Sequence, residues 1–179
     1  MRRPERGKLA EHWSLDPEVC FLNHGSFGAT PDDVLEQQQI IRTQIERDPV
    51  RFFERDFIGL MEDSRSTLSR FLNADEGGMA FVKNATEGVN TVLRSLKLEP
   101  GDEIIVTNHS YQACWNAVDF VTARSDARTV VVDIPFRVGS EEEIVELISK
   151  SVTERTVLAM IDTVTSPTGM RMPFEESVA

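Results

Sequence analysis

The chain lacks most of the features that betray a function by composition. Among its 179 residues are two cysteines, three histidines and a single tyrosine. Cys20 and Cys114 lie far apart in sequence, so they offer no disulfide framework and suit a reducing compartment. His12, His24 and His109 are scattered, without the close pairing that metal ligands show, and no metal site is expected. Positive charge is scarce. Nineteen basic residues face 30 acidic ones, a net charge of −11, which argues against nucleic acid or an anionic membrane surface as a partner. No apolar run approaches the ~18 residues that a membrane span needs. The start, Met1-Arg2-Arg3-Pro4-Glu5-Arg6, leads into a charged stretch instead of the apolar core of a signal peptide. A cytoplasmic protein is expected, with neither nucleic acid nor membrane as partner.

What is present is ordered along the chain. Residues 1–20 read as an irregular arm. A loop with two close glycines follows, Phe21-Leu22-Asn23-His24-Gly25-Ser26-Phe27-Gly28-Ala29-Thr30-Pro31, where the backbone can turn tightly or approach a ligand. Pro31 opens a long helical pattern through Val34, Leu35, Ile41 and Ile45, with proline suited to the first turn. Asp48-Pro49 breaks it, and a second helix follows the Phe52, Phe53, Phe57 cluster as far as Phe71. Beyond residue 76 short β-type runs alternate with helical ones. Strands are expected at 79–82, 103–107, 129–134 and 156–162, and helices at 86–97, 111–122 and 141–150. Such alternation means an α/β fold of three layers, α/β/α, around a mostly parallel sheet. The spacing divides the chain into 1–20, 21–75 and 76–179.

In sheets of this kind ligands sit beyond the carboxyl ends of the strands. Three loops fall there: Asn84–Glu87, Asn108–Tyr111 and Asp162–Gly169. The first is the most telling, because the apolar run 79–82 gives way at once to Lys83-Asn84-Ala85-Thr86-Glu87-Gly88-Val89-Asn90 and a helix. A helix opening there aims its unpaired N–H groups and positive dipole end at the site, where an anion, above all a phosphate, is the natural guest. The spacing is neither GxGxxG nor GxxxxGK[ST]. The same residues also suit a simple capped helix, with Asn84 or Thr86 as cap and nothing bound.

Together these phrases resemble the class V aminotransferase family of fold-type I enzymes, which use pyridoxal 5′-phosphate (PLP), and within it the isopenicillin N epimerase-like branch. The resemblance rests on Phe21–Gly28 with Pro31, on Asn84–Asn90, on Pro100-Gly101-Asp102-Glu103 leading to Asn108-His109-Ser110-Tyr111, and on Asp162-Thr163-Val164-Thr165-Ser166-Pro167-Thr168-Gly169. It spans roughly residues 20 to 175. It implies that 76–179 is part of a PLP-binding large domain, preceded by a helical segment. It implies that Ala85 and Thr86, next to Asn84, hold the cofactor phosphate, and that His109, or failing it Tyr111, stacks on the pyridine ring. Ser166 would stand where relatives place an asparagine that bonds the phenolic oxygen, and a hydroxyl reaches less far than an amide. Asn23, His24 and Gly25 would lie over the substrate side, and the intact enzyme would be a homodimer acting on an amino acid or amine. Asp162 is not the family's pyridinium partner, which belongs to a later strand.

The resemblance also defines what is missing. The family's Schiff-base lysine sits in a Ser/Thr-x-x-Lys or His-Lys context, and none of Lys8, Lys83, Lys97 and Lys150 has it. The chain therefore reads as the amino-terminal portion of such an enzyme, ending inside a helix near Glu175, without catalytic residues of its own and inactive alone. Aminotransferase, epimerase, and cysteine desulfurase or selenocysteine lyase chemistries all stay open. So do a non-catalytic pseudo-enzyme or interaction domain and, from the phosphate loop alone, a nucleotide-binding domain.

Overall fold

The computed structural model describes residues 7–173. The start of the amino-terminal arm and the helix expected near Glu175 lie outside those residues. The chain divides into two compact units, Met1–Ala80 and Phe81–Ala179.

The first unit is helical. A single 3-10 turn, Lys8–His12, precedes the loop at 21–31. Gly28 is required there, since a Cβ would stand 2.9 Å from the His24 carbonyl oxygen. Helix α1 (Asp32–Arg47) carries Asp32 and Asp33 in its first turn and Arg47 in its last, each sign on the favourable end of the dipole. The expected break at Asp48-Pro49 is a re-start. The Asp48 side chain accepts the Arg51 N–H and caps the short helix α2 (Pro49–Arg51), with Pro49 at its first position. A π-helical stretch, Phe52–Asp56, closes with the Phe57 N–H on the Phe52 carbonyl and runs into α3 (Phe57–Leu72). Widening the turn gathers the Phe52, Phe53 and Phe57 rings at centroid distances of 5.3 to 6.3 Å. Helix α3 ends because Asn73 takes the left-handed conformation (φ 52°) that stops a helix.

The second unit contains helix α4 (Ala85–Ser95), strand β1 (Glu103–Thr107), helix α5 (Gln112–Arg124), strand β2 (Arg128–Val132), helix α6 (Glu141–Ser151) and strand β3 (Thr156–Ala159). The strands pair in parallel in the order β2-β1-β3, with Ile104 opposite Thr129 on one side and Leu158 on the other. All five residues of β1 are buried, as a central strand covered on both faces requires. Alternation along β1 then assigns the faces. Ile104 and Val106 pack with Leu93 of α4 and with Ala117, Val118 and Val121 of α5, while Ile105 packs with Val132, Ile134, Met172 and with Ile144 and Ile148 of α6. The result is the α/β/α arrangement read from the sequence.

One expected strand is not there. Residues 79–82 have no ladder and Phe81 and Val82 are half exposed. A β-type apolar run becomes a strand only when a neighbour offers its carbonyls and amides, and none of the three strands pairs with it.

Candidate functional site

The site is built from the carboxyl ends of the strands and the amino ends of the helices that follow. Asn84 adopts an extended backbone (φ −164°, ψ 169°) and ends the approach to α4. Its Oδ1 accepts the Glu87 N–H at 2.9 Å, and its carbonyl accepts from Gly88 at 3.1 Å. Asn84, not Thr86, is therefore the cap, and the Ala85 and Thr86 amides are left with no acceptor among the described residues. Two unpaired N–H groups at a positive helix end form an anion cradle. The Glu87 carboxylate folds back over the same helix end: Oε2 accepts the Lys83 N–H at 2.8 Å and Oε1 stands 3.8 Å from Lys83 Nζ, which offsets its charge in part.

The loop after β1 is pinned by its own polar groups. Ser110 Oγ accepts the Thr107 N–H at 3.1 Å. The Asn108 amide donates to Asp133 at 2.6 Å and accepts from the Ile134 N–H at 2.9 Å, locking this loop to the end of β2. His109 is only 6% exposed, with Nδ1 2.9 Å from Thr168 Oγ1 and Nε2 2.8 Å from the Ile134 carbonyl. Tyr111, two residues on, is 45% exposed.

Beyond β3 the chain forms a small hairpin. Val164 and Arg171 make an antiparallel bridge, Thr165 N–H donates to Met170 O at 2.9 Å, and Gly169 turns with φ 65°. Ser166 is exposed at the tip. At the hairpin's base, Asp162 Oδ2 accepts the Tyr111 N–H at 3.3 Å, where α5 begins.

One buried thiol joins these pieces. Burial pushes the Cys114 thiol above its ordinary value, a hydrogen bond with the Thr86 hydroxyl works the other way, and the nearby Asp162 carboxylate raises it further. Cys114 is a free, buried thiol on α5, the helix that packs against α4. The Asp162–Tyr111 bond thus joins the hairpin to the start of α5, and Cys114 lies on that helix three residues on. Asp162 opens one of the three loops that the sequence marks for the site, whereas Cys114 reads there only as an apolar position of a helix.

Asn23, His24 and Gly25 lie in the other unit. The His24 ring packs edge-on against Phe21 at 4.7 Å. Lys83 Nζ faces Glu87 Oε1 at 3.8 Å, and Lys150 pairs with Glu146 at 2.8 Å. Among the described residues no group of acidic, cysteine and histidine side chains could hold a metal ion, and no helix is long and apolar enough to cross a membrane.

Comparison with known proteins agrees with this fold. A solved structure of the cystine C-S lyase C-DES with its product cysteine persulfide superposes with a TM-score of 0.77 over 84% of this chain and 40% of that one, at 20% identity. The cysteine desulfurase CsdA from Escherichia coli gives 0.69 over 84% and 39%, at 21% identity. The isopenicillin N epimerase of Amycolatopsis lactamdurans is 32% identical over 91% of this chain and 42% of its own length. A probable chloroplastic L-cysteine desulfhydrase of Arabidopsis thaliana is 30% identical over 91% of this chain and 37% of its own. The chain spans about two fifths of the length of these curated relatives. The family model described as aminotransferase class-V matches residues 28–179, and the chain belongs to that family.

Proposed function

We propose that the second unit binds pyridoxal 5′-phosphate through its phosphate, in a protein that acts on an amino acid or an amine. The observation that carries this reading is the pair of unpaired amides, Ala85 and Thr86, opening α4 inside the family-matched segment. The residues present fit the phosphate end of the cofactor: two amides, a helix dipole and the Thr86 hydroxyl. When bound, the cofactor supplies an electron sink for the substrate's α-carbon. The chain's own residues do the rest of what is visible here. Asn84 presets the first turn of α4, and Glu87 folds back toward Lys83. By the family resemblance Ser166 is assigned to an oxygen on the ring, over a shorter reach than the asparagine of relatives, and Asn23, His24 and Gly25 to the substrate side.

Within this reading the isopenicillin N epimerase-like and cysteine desulfhydrase reactions come first, supported by relatives so named. Aminotransferase chemistry is the third member of the group. A second reading has its own observation. With no lysine in Schiff-base context, these 179 residues by themselves bind without turning over, as a non-catalytic piece would. The same kinship suggests a homodimer, to which the half-exposed Phe53 and Phe57 of the first unit would contribute. Sedimentation of the purified protein at rising concentration checks this, and a monomer throughout would remove it. The two free thiols keep a cytoplasmic setting as the proposed one.

Titration with PLP and with pyridoxal, which lacks the phosphate, tests the cofactor reading. PLP is expected to bind clearly better, and Thr86→Val to weaken PLP by about tenfold, as losing one hydrogen bond to a charged group should. Equal binding of pyridoxal, or an unaffected valine variant, would count against it. Steady product from L-cysteine or another amino acid, with this chain and PLP alone, would overturn the non-catalytic reading.

A further inference from the structure

We propose that the cleft between the carboxyl ends of α4 and α5 is a binding site for a small aliphatic carboxylate, gripped by Arg94 and Arg124. It is separate from the phosphate cradle and does not depend on it. Helix α4 has 11 residues, so its two ends stand about 16 Å apart.

Two arginines converge on one ring. Arg94 lies in the last turn of α4 and Arg124 in the last turn of α5, helices that pack on each other. The Arg94 guanidinium carbon is 5.0 Å from the centre of the Phe120 ring, and that of Arg124 is 5.3 Å from it. Their separation therefore cannot exceed the sum of those two distances. The helix dipoles and the negative face of the ring draw each cation to its place. They leave two like charges, which repel, without a counter-charge. Arg94 Nε reaches the Asn90 side-chain oxygen only at 3.5 Å, and neither arginine is in an ion pair among the described residues. In a chain of 30 acidic residues that vacancy stands out.

The cleft beside them has a volume of about 390 Å³, within the range of small-molecule sites. Arg94 and Arg124 line it together with Leu93, Leu96, Leu98 and Val121. Leu93 and Val121 belong to the packed core, so that part of the lining is fixed, whereas Leu96 is 37% exposed and offers apolar surface. The same lining thus specifies a charged head and an oily body. Two guanidiniums favour a carboxylate, which each can hold with paired N–H groups, and the leucines favour an aliphatic chain behind it. An α-amino acid suits the cleft poorly, because its ammonium would stand beside two cations. The ligand is accordingly an aliphatic acid without an amino group.

The experiment titrates the full chain with octanoate, acetate, octylammonium and inorganic phosphate while the arginine Nε–H resonances are recorded. Octanoate is expected to bind saturably and at least about tenfold more tightly than acetate, since its added methylenes leave water. It should shift the Nε–H signals of Arg94 and Arg124, assigned through the backbone. Arg94→Gln and Arg124→Gln are each expected to weaken octanoate by about tenfold, as losing a hydrogen bond between charged groups should. Both side chains are exposed, so the substitutions leave the core untouched.

Octylammonium is the decisive control. The apolar groove between α4 and β3, lined by Val89, Val92 and Leu158, would take either eight-carbon chain regardless of its charge. Octylammonium as tight as octanoate therefore overturns the proposal, and so does octanoate that leaves the two arginine signals in place or binds both variants unchanged. Inorganic phosphate as tight as octanoate would mean that charge alone is read, which removes the aliphatic ligand. Absence of saturable octanoate binding overturns the site outright. Should a variant fail to fold, the ligand series and the two signals in the parent protein decide.

Discussion

Glu103→Gln is expected to lower the melting temperature by roughly 10 °C, the largest loss for any single charge substitution in the second unit. Glu103 begins β1 and is 1% exposed. It sits in register with Arg128, which begins β2, and with Thr156, which begins β3. Its Oε1 accepts from Arg128 Nε at 3.0 Å and more closely from Nη2, and its Oε2 accepts from Thr153 at 2.7 Å and from Thr156 at 3.3 Å. One carboxylate thus ties the amino ends of all three strands. Glutamine would keep part of the acceptor capacity while placing an amide hydrogen against donors. The Arg128 hydrogen bonds, then that of Thr153, hold the carboxyl below its ordinary value against the opposing effect of burial. A depressed carboxylate contributes stability that is present above the unfolded value near 4.3 and fades as the pH falls through the folded value. The gap between parent and Glu103→Gln should therefore be constant near neutrality and narrow below about pH 4. Thermal melts from pH 7 to pH 3 check both statements. A gap that widens on acidification would contradict the assignment.

Ile105→Ala is expected to destabilise the unit by about 3–4 kcal/mol, measured by urea denaturation. Ile105 is wholly buried and points toward α6, among Val132, Ile134, Ile144, Ile148 and Met172. Those neighbours belong to several elements, β-branched and stiff for the most part, so they cannot close over the space left behind. Val157→Ala is the control. It lies on β3 and is half exposed, so its loss should stay within about 1 kcal/mol. Comparable losses at the two positions would mean that the face assignment along β1 is wrong.

How far such features can be read from residues alone differs from element to element. β1 and α6 were legible because periodicity reports burial directly: a continuous apolar run for a strand covered twice, and Ile144, Leu147 and Ile148 at helical spacing for one inward stripe. The cap at the start of α4 was legible only as a choice between Asn84 and Thr86, which the bond from the Glu87 N–H to Asn84 decides. The run 79–82 misled because composition carries no information about a partner strand. Glu103 read as the flank of a strand, and nothing local announces that Arg128 and Thr153 will converge on it. The π-helical turn at 52–56 looks like ordinary helix with a clustered aromatic face. His109 was picked out as a ring, from kinship. Its bonds to Ile134 and Thr168 depend on residues that only the fold brings near, and no periodicity marks them.

The parallel pairing of β1 also bears on how the chain comes to be folded. Strand β1 cannot complete its ladder until α5, β2 and α6 have been made and β3 arrives to meet it. Contacts so distant in sequence raise the contact order, and loop-closure entropy must be overcome before they reward the chain. A nascent chain leaving the ribosome would therefore carry its most water-averse stretch, Ile104-Ile105-Val106, with one neighbour in place and the other still being synthesised.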